Sequence, residues 1–274
     1  MSLSVTSCAS SPTASNEMVR QNSGVCDGSE FKGITGNMCL LYTKEDDIVI
    51  LRDITISDLR IRHSRVVKGN WFVNCDEGHQ EIVELSGPFN SFTSKTVEKL
   101  LLEVKSCKKN QRENLPLLHL SSGGGKLTDG MKVGRLIREK NFRTLIPTNS
   151  MCASSCAIAF LGGAYRYVNY NAELLLHAPY IEKKLTPEEI YYKKMLQIEN
   201  IGIVCASDMK ELKDYFNEML GEENGNFLYK QTMEFCSTSD GWVFNKDAAE
   251  LFNIDNSNLY TDPLDSYYEY QNRN

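Results

Sequence analysis

The stretch Met151-Cys152-Ala153-Ser154-Ser155-Cys156-Ala157-Ile158-Ala159-Phe160-Leu161-Gly162-Gly163 decides how this chain is read. It begins small, polar and cysteine-flanked, and it ends apolar. A strand-like run, Phe142-Arg143-Thr144-Leu145-Ile146-Pro147, comes just before it. A serine ahead of an apolar helical run holds the place of an N-cap. The pattern therefore puts one serine where a buried strand turns into a buried helix. Two roles fit that place. One is a capping hydroxyl. The other is a nucleophile, held still among backbone N–H groups.

Working outward, strand and helix signals alternate. Glu81 to Gly87 reads as a strand ending at a glycine, and Thr93 to Ser106 as a helix with Val97, Leu100, Leu101 and Val104 inward. Leu115 to Leu120 reads as a buried strand, broken by Ser121-Ser122-Gly123-Gly124-Gly125. Thr128 to Lys140 is a second helix, with Met131, Val133, Leu136 and Ile137 inward. After the serine helix come strands at Tyr165–Val168 and Ala172–Pro179, then a helix opened by Thr186-Pro187-Glu188-Glu189. Ser207–Leu220, Phe227–Cys236 and Asn245–Phe252 read as further helices, the last preceded by Gly241-Trp242-Val243-Phe244. This alternation argues for parallel crossover units and an α/β core.

The pattern is different before residue 81. Residues 1–26 are rich in Ser and Thr and read as a disordered tether. Residues 27–80 read as an accessory β region, with strand candidates at Met38–Tyr42, Asp47–Leu51 and Asp58–Arg62. Residues 81–255 form the α/β domain, and 256–274 a polar tail carrying Tyr260, Tyr267, Tyr268 and Tyr270. Cys75, Glu77 and His79 lie close together but offer no fourth ligand, so they read as a solvated loop.

Composition narrows the function classes. The net charge of −6 excludes a general nucleic-acid binder. The 41% hydrophobic content supports a sizeable core, and no run is long enough to span a membrane. The nine cysteines include no CxxC pair and no zinc-ligand spacing, so neither a metal nor a cofactor is expected. Val5-Thr6-Ser7-Cys8 resembles the end of a bacterial lipoprotein signal, which implies a lipid anchor at Cys8 and a periplasmic or membrane-anchored protein. The alternative is a flexible tail on a cytoplasmic one.

Three elements carry candidate chemistry. The glycine break at Ser122–Gly125 lets backbone approach a ligand and point N–H groups at it. It lacks the pattern of a phosphate loop. The serine turn is the second element. His177, at the end of an apolar strand, is the third, whereas His119 sits mid-strand between leucines and reads as structural. A hydrolase needs a hydroxyl, an imidazole and oxyanion donors. Each of these stands at the end of an expected strand, where open α/β sheets place their sites.

Together these residues resemble the Clp-protease proteolytic subunit and the ClpP/crotonase superfamily. That subunit's glycine turn reads Asn-Ser-Pro-Gly-Gly and is followed by Gly-Met; here Ser121–Gly125 is followed at the same spacing by Gly130-Met131. Its nucleophile lies in Ala-Ala-Ser-Met-Gly-Ala. Cys152–Ala157 aligns without gaps when Ser154 is the nucleophile and Gly163 lies nine residues on. Its base stands in His-Gln-Pro; here it is His177-Ala178-Pro179. Asn245–Leu251 resembles its last helix. The likeness covers roughly residues 81 to 255. The Cys-x-Ser-x-Cys form also resembles exported bacterial Clp-like proteins.

The resemblance implies repeated β-β-α units with a mostly parallel sheet, and serine hydrolysis of a peptide or protein substrate, with homo-oligomers common in the superfamily. Ser154 is the implied nucleophile and His177 the base. Gly124, Gly125 and Ser155 are the implied oxyanion donors. The family's Pro in the glycine turn is Gly123 here, and its orienting Asp falls at Cys236. Glu234 or Asp240 could replace that acid, or Lys193 or Lys194 could form a Ser–Lys dyad, as in relatives of the signal-peptide-peptidase type. A missing orienter leaves a second expectation, a weak or inactive binding or scaffold protein. Cys152 and Cys156 are spaced either for a disulfide that braces the turn or as two buried thiols. Crotonase-type thioester chemistry needs no serine nucleophile, and Ser154 and His177 speak against it.

Overall fold

In the computed structural model, the described segments build a seven-stranded sheet, a three-stranded sheet and a two-stranded one. The structure describes residues 20–22, 47–56, 58–68, 80–104, 115–197, 201–238 and 240–256. Cys8, the Met38–Tyr42 strand candidate, the Cys75–His79 cluster and the tyrosines of the tail lie outside them.

The larger sheet holds β1 (Arg20–Asn22), β2 (Asp47–Ile56), β3 (Leu59–Lys68), β4 (Gln80–Ser86), β5 (Leu117–Ser121), β6 (Arg143–Ile146) and β8 (Tyr165–Val168). Its order is β1-β2-β3-β4-β5-β6-β8. The ladders from β4 to β8 are parallel, and those from β1 to β4 are antiparallel. Residues 47–68 therefore extend the sheet, and residue 80 falls inside one continuous surface. The protein is a mixed α/β fold.

Helices α1 (Ser91–Glu103), α2 (Leu127–Glu139) and α3 (Ser155–Phe160) cover one face. Val97, Leu100 and Leu101 of α1, Met131, Val133 and Ile137 of α2, and all of α3 are buried with Leu85, Leu118, Leu120, Ile146 and Val168 of the sheet. Each fully buried leucine contributes about 1.5–3 kcal/mol. Helix α3 is too short to hold itself together, so this packing forms it.

The smaller sheet has the order β12-β9-β7, from β7 (Met151–Ala153), β9 (Glu173–Leu176) and β12 (Trp242–Phe244). It corrects one expectation. The 142–147 run does not lead straight into the serine helix. Pro147 lacks a ladder donor, the chain turns through Asn149 at φ 55°, and β7 starts a new sheet. The strands expected at 165–168 and 172–179 likewise part company, into β8 and β9.

Twice, then, the chain goes from the large sheet to the small one, β6 to β7 and β8 to β9. An antiparallel pair of β10 (Tyr180–Glu182) and β11 (Ile203–Cys205) carries between its strands α4 (Pro187–Leu196), a helix with no buried residue. Helices α5 (Lys210–Leu220), α6 (Glu222–Glu234) and α7 (Lys246–Leu251) are the remaining described helices. Helix α6 starts before the expected Phe227, because Gly221 at φ 84° separates it from α5.

Candidate functional site

Ser154 sits between β7 and α3 with φ 56° and ψ −124°. A non-glycine residue there stores on the order of 1–3 kcal/mol of strain and persists only where its surroundings over-determine it. They do so here. Ser154 N–H donates to Leu175 O of β9 at 2.9 Å, and Ser154 O accepts from Ile158 N at 3.1 Å. Its side chain makes no capping bond to α3. The hydroxyl is half-exposed and has no hydrogen-bond partner among the described residues, so simple capping is not its role.

Helix α3 is fixed along its length. Arg138 of α2 donates to the carbonyls of Leu161, Gly162 and Gly163 at its end. Tyr215 Oη donates to Ile158 O at 2.7 Å. Behind its first residue, a Cβ on Gly130 would lie 2.4 Å from Ser155 O, so glycine lets α2 approach this closely. A disulfide joins Cys152 to Cys156 across the turn, and both cysteines are fully buried.

The glycine turn lies beside β7. Ser122 N–H donates to Met151 O at 2.9 Å, and Ala153 N–H to Ser122 O at 2.8 Å. A Cβ on Gly124, at φ 98°, would lie 2.6 Å from both Ala153 O and Ser154 Cβ. The turn therefore presses against the serine. Gly124 N–H is itself committed, donating to Ser122 Oγ at 3.0 Å. The N–H groups of Gly125 and Ser155 have no acceptor among the described residues.

His177 follows β9. Strands β7 and β9 pair in parallel with Ala153 opposite Leu175, so Ser154 and His177 leave neighbouring strand ends. His177 Nδ1 is 2.9 Å from Ala178 O. A carbonyl only accepts, so Nδ1 is the donor here, and a neutral imidazole in this arrangement has its lone pair on Nε2. That is the tautomer a general base needs. No hydrogen bond joins Ser154 Oγ to His177 among the described residues; such bonds often tighten only with substrate.

The expected third residue is not in contact. Glu234 and Asp240 are exposed, and Asp240 Oδ1 accepts from Gly241 N–H at 3.1 Å. No carboxylate bonds His177 among the described residues. Cys236 forms a disulfide with Cys205. Lys193 Nζ points to Ile201 O at 3.5 Å, Lys194 is exposed, and neither bonds Ser154.

Around His177 the backbone is held from two sides. Ala178 N–H donates to Phe235 O, and Ala206 N–H to Pro179 O, both at 2.8 Å. Nothing in the local residue pattern signals these partners or the pairing of Cys205 with Cys236. Cysteine spacing does not determine connectivity.

No group of three or more His, Cys, Asp or Glu is placed to hold a metal among the described residues. No described helix is long and apolar enough to cross a membrane. No protein-family model and no curated protein matches the chain.

Proposed function

We propose that the chain is a serine hydrolase of the ClpP/crotonase type that cleaves peptide bonds. The observation that carries this reading is the backbone of Ser154, a strained non-glycine corner with a free hydroxyl, beside the glycine turn and the strand end bearing His177. The two passages from large sheet to small sheet, one followed by α3, support the repeated β-β-α plan of that superfamily. Ser154 Oγ attacks the substrate carbonyl while His177 Nε2 takes its proton. The N–H groups of Gly125 and Ser155 receive the developing oxyanion. Gly124 serves by its lack of a side chain rather than as a donor. The intermediate collapses as His177 returns the proton to the leaving amine, and water then releases the acyl group by the same route.

Ala178 O stands in for the absent acid in setting the tautomer. It does not offer the negative charge that steadies an imidazolium, so a slow enzyme is expected. The uncontacted Glu234 and Asp240 favour the second reading, a binding or scaffold protein with residual or no turnover. The two disulfides among the described residues fit an oxidising compartment such as the periplasm, which agrees with an anchor at Cys8 and a peptide or protein substrate met outside the cytoplasm. Assembly into a homo-oligomer belongs to the same reading.

A fluorophosphonate probe tests it. The folded wild type should label, and both Ser154→Ala and His177→Ala should reduce labelling to background. A folded wild type that never labels, at any pH where an imidazole is neutral, would sink the hydrolase.

A further inference from the structure

We infer that the Cys205–Cys236 disulfide is the positioning device for His177, and that a dithiol reductant switches the site off by opening it. This rests on the hydrolase reading for its consequence, but not for its geometry. The bond links β11 to the segment that follows α6. The neighbour of each cysteine makes one of the two bonds that hold the histidine corner. Phe235, next to Cys236, accepts from Ala178 N–H. Ala206, next to Cys205, donates to Pro179 O. Cys205 is also paired with Tyr180, whose ring lies 5.5 Å from the His177 ring. Ala178 thus has its N–H fixed by one side of the disulfide, and its carbonyl fixes Nδ1 of His177.

On the strand side β9 anchors the corner through β7 and β12; on the other side the supports are slight. Helix α4 buries nothing, and Ile181 and Val204 of the hairpin are 69% and 49% exposed. With the disulfide open, Phe235 and Ala206 are left to those two backbone bonds, the small hairpin and the bonds of Tyr229 on α6 to Asp208 and Met209. The two disulfides also differ in reach. Cys236 is exposed, whereas Cys152 and Cys156 are each 0% exposed. A dithiol attacks the reachable sulfur, supplies two electrons and two protons, leaves Cys205 and Cys236 as thiols, and closes to its own disulfide.

The experiment uses the full chain and two readouts, the rate of fluorophosphonate labelling and the His177 tautomer from imidazole ¹⁵N shifts. In the wild type the tautomer with the proton on Nδ1 should dominate. In a C205S/C236S variant, and in wild type treated with dithiothreitol, that tautomer should give way to a mixture. Labelling should slow about 10–100-fold, as expected for a displaced catalytic group, with Cys152–Cys156 still closed. Reoxidation should restore both readouts. A folded protein that keeps its tautomer and rate with the bond open overturns the inference. So does loss of the whole fold on reduction in both samples, because the bond then holds the domain rather than the imidazole. Wild type that never labels defeats the hydrolase reading alone, since the tautomer still decides the positioning.

Discussion

The two halves of the candidate site are built in opposite ways. The serine half lies in the core. Every residue of α3 is buried, three carbonyls at its end are held by Arg138, and its disulfide is sealed. The histidine half is core-anchored on one side only, where β9 pairs with β7 and β12. Its other side depends on a short hairpin, a helix with nothing buried, and backbone bonds next to a reachable disulfide. The position of Ser154 is therefore a consequence of folding. That of His177 is a separate and weaker condition, open to change while the fold persists. Local stability is known to vary in this way across one structure, and mobile functional segments come from its low end.

The sharpest way to break this contrast is to disturb the backbone of the serine half and read its stability. A Cβ on Gly125, at φ 150°, would lie 1.8 Å from Phe89 O, a backbone atom that cannot swing aside. Gly123, two residues earlier, has open space around it. Gly125→Ala should lose at least about 3 kcal/mol, since it combines a disallowed backbone with a core clash, while Gly123→Ala should stay within about 0.5 kcal/mol of wild type. Urea unfolding of the pair measures both. Equal stabilities would mean that the turn is not fixed by the core.

The same division explains what was legible in the sequence. The serine half was readable because its signals are local: a serine before an apolar run, and glycines after a buried strand. The approach of α2 to Ser155 at Gly130 appears only in the structure. Strand β7 was missed because a strand of Met151–Ala153 is too short to show any period. The histidine corner was readable as His177 alone. Its partners Phe235 and Ala206 come from distant segments, and backbone hydrogen bonds leave no trace in side-chain identity. The orienting acid expected near Cys236 has no counterpart bonded to His177 among the described residues; the group in contact with the imidazole is the carbonyl of Ala178.

Acid should distinguish the halves by a smaller margin. His119 on β5, just before the glycine turn, is 3% exposed, and neither ring nitrogen has a partner among the described residues. Burial, with the nearby Arg143 cation, pushes its pKa down from 6.5 to about 3. The folded state thus holds His119 neutral, while the unfolded chain takes up a proton below about pH 6.5. Its contribution to stability is complete above that pH and lost progressively as pH falls towards 3. By pH 4.5 the loss is about 2–3 kcal/mol. His119→Leu removes the titration and orphans no known partner. Stability against pH should therefore flatten between pH 6.5 and 4.5 in the variant; parallel curves would show that other groups dominate.

The smallest effect should come from α4, and it tests the histidine half directly. Thr186 and Glu189 form a capping box: Glu189 N–H donates to Thr186 Oγ1 at 3.2 Å, and Thr186 N–H to Glu189 Oε2 at 2.9 Å. Loss of such a cap typically costs about 1 kcal/mol. In a helix packed into the core that loss would lower the whole domain's stability. Helix α4 buries nothing, so its opening is a local event whose free energy is already small. Thr186→Ala should speed amide exchange across 187–196 about fivefold, the equivalent of about 1 kcal/mol, and leave exchange in α2 and α3 and the melting temperature unchanged. A matching fall in global stability would show that α4 is coupled to the core, and that the histidine half is as firmly built as the serine half.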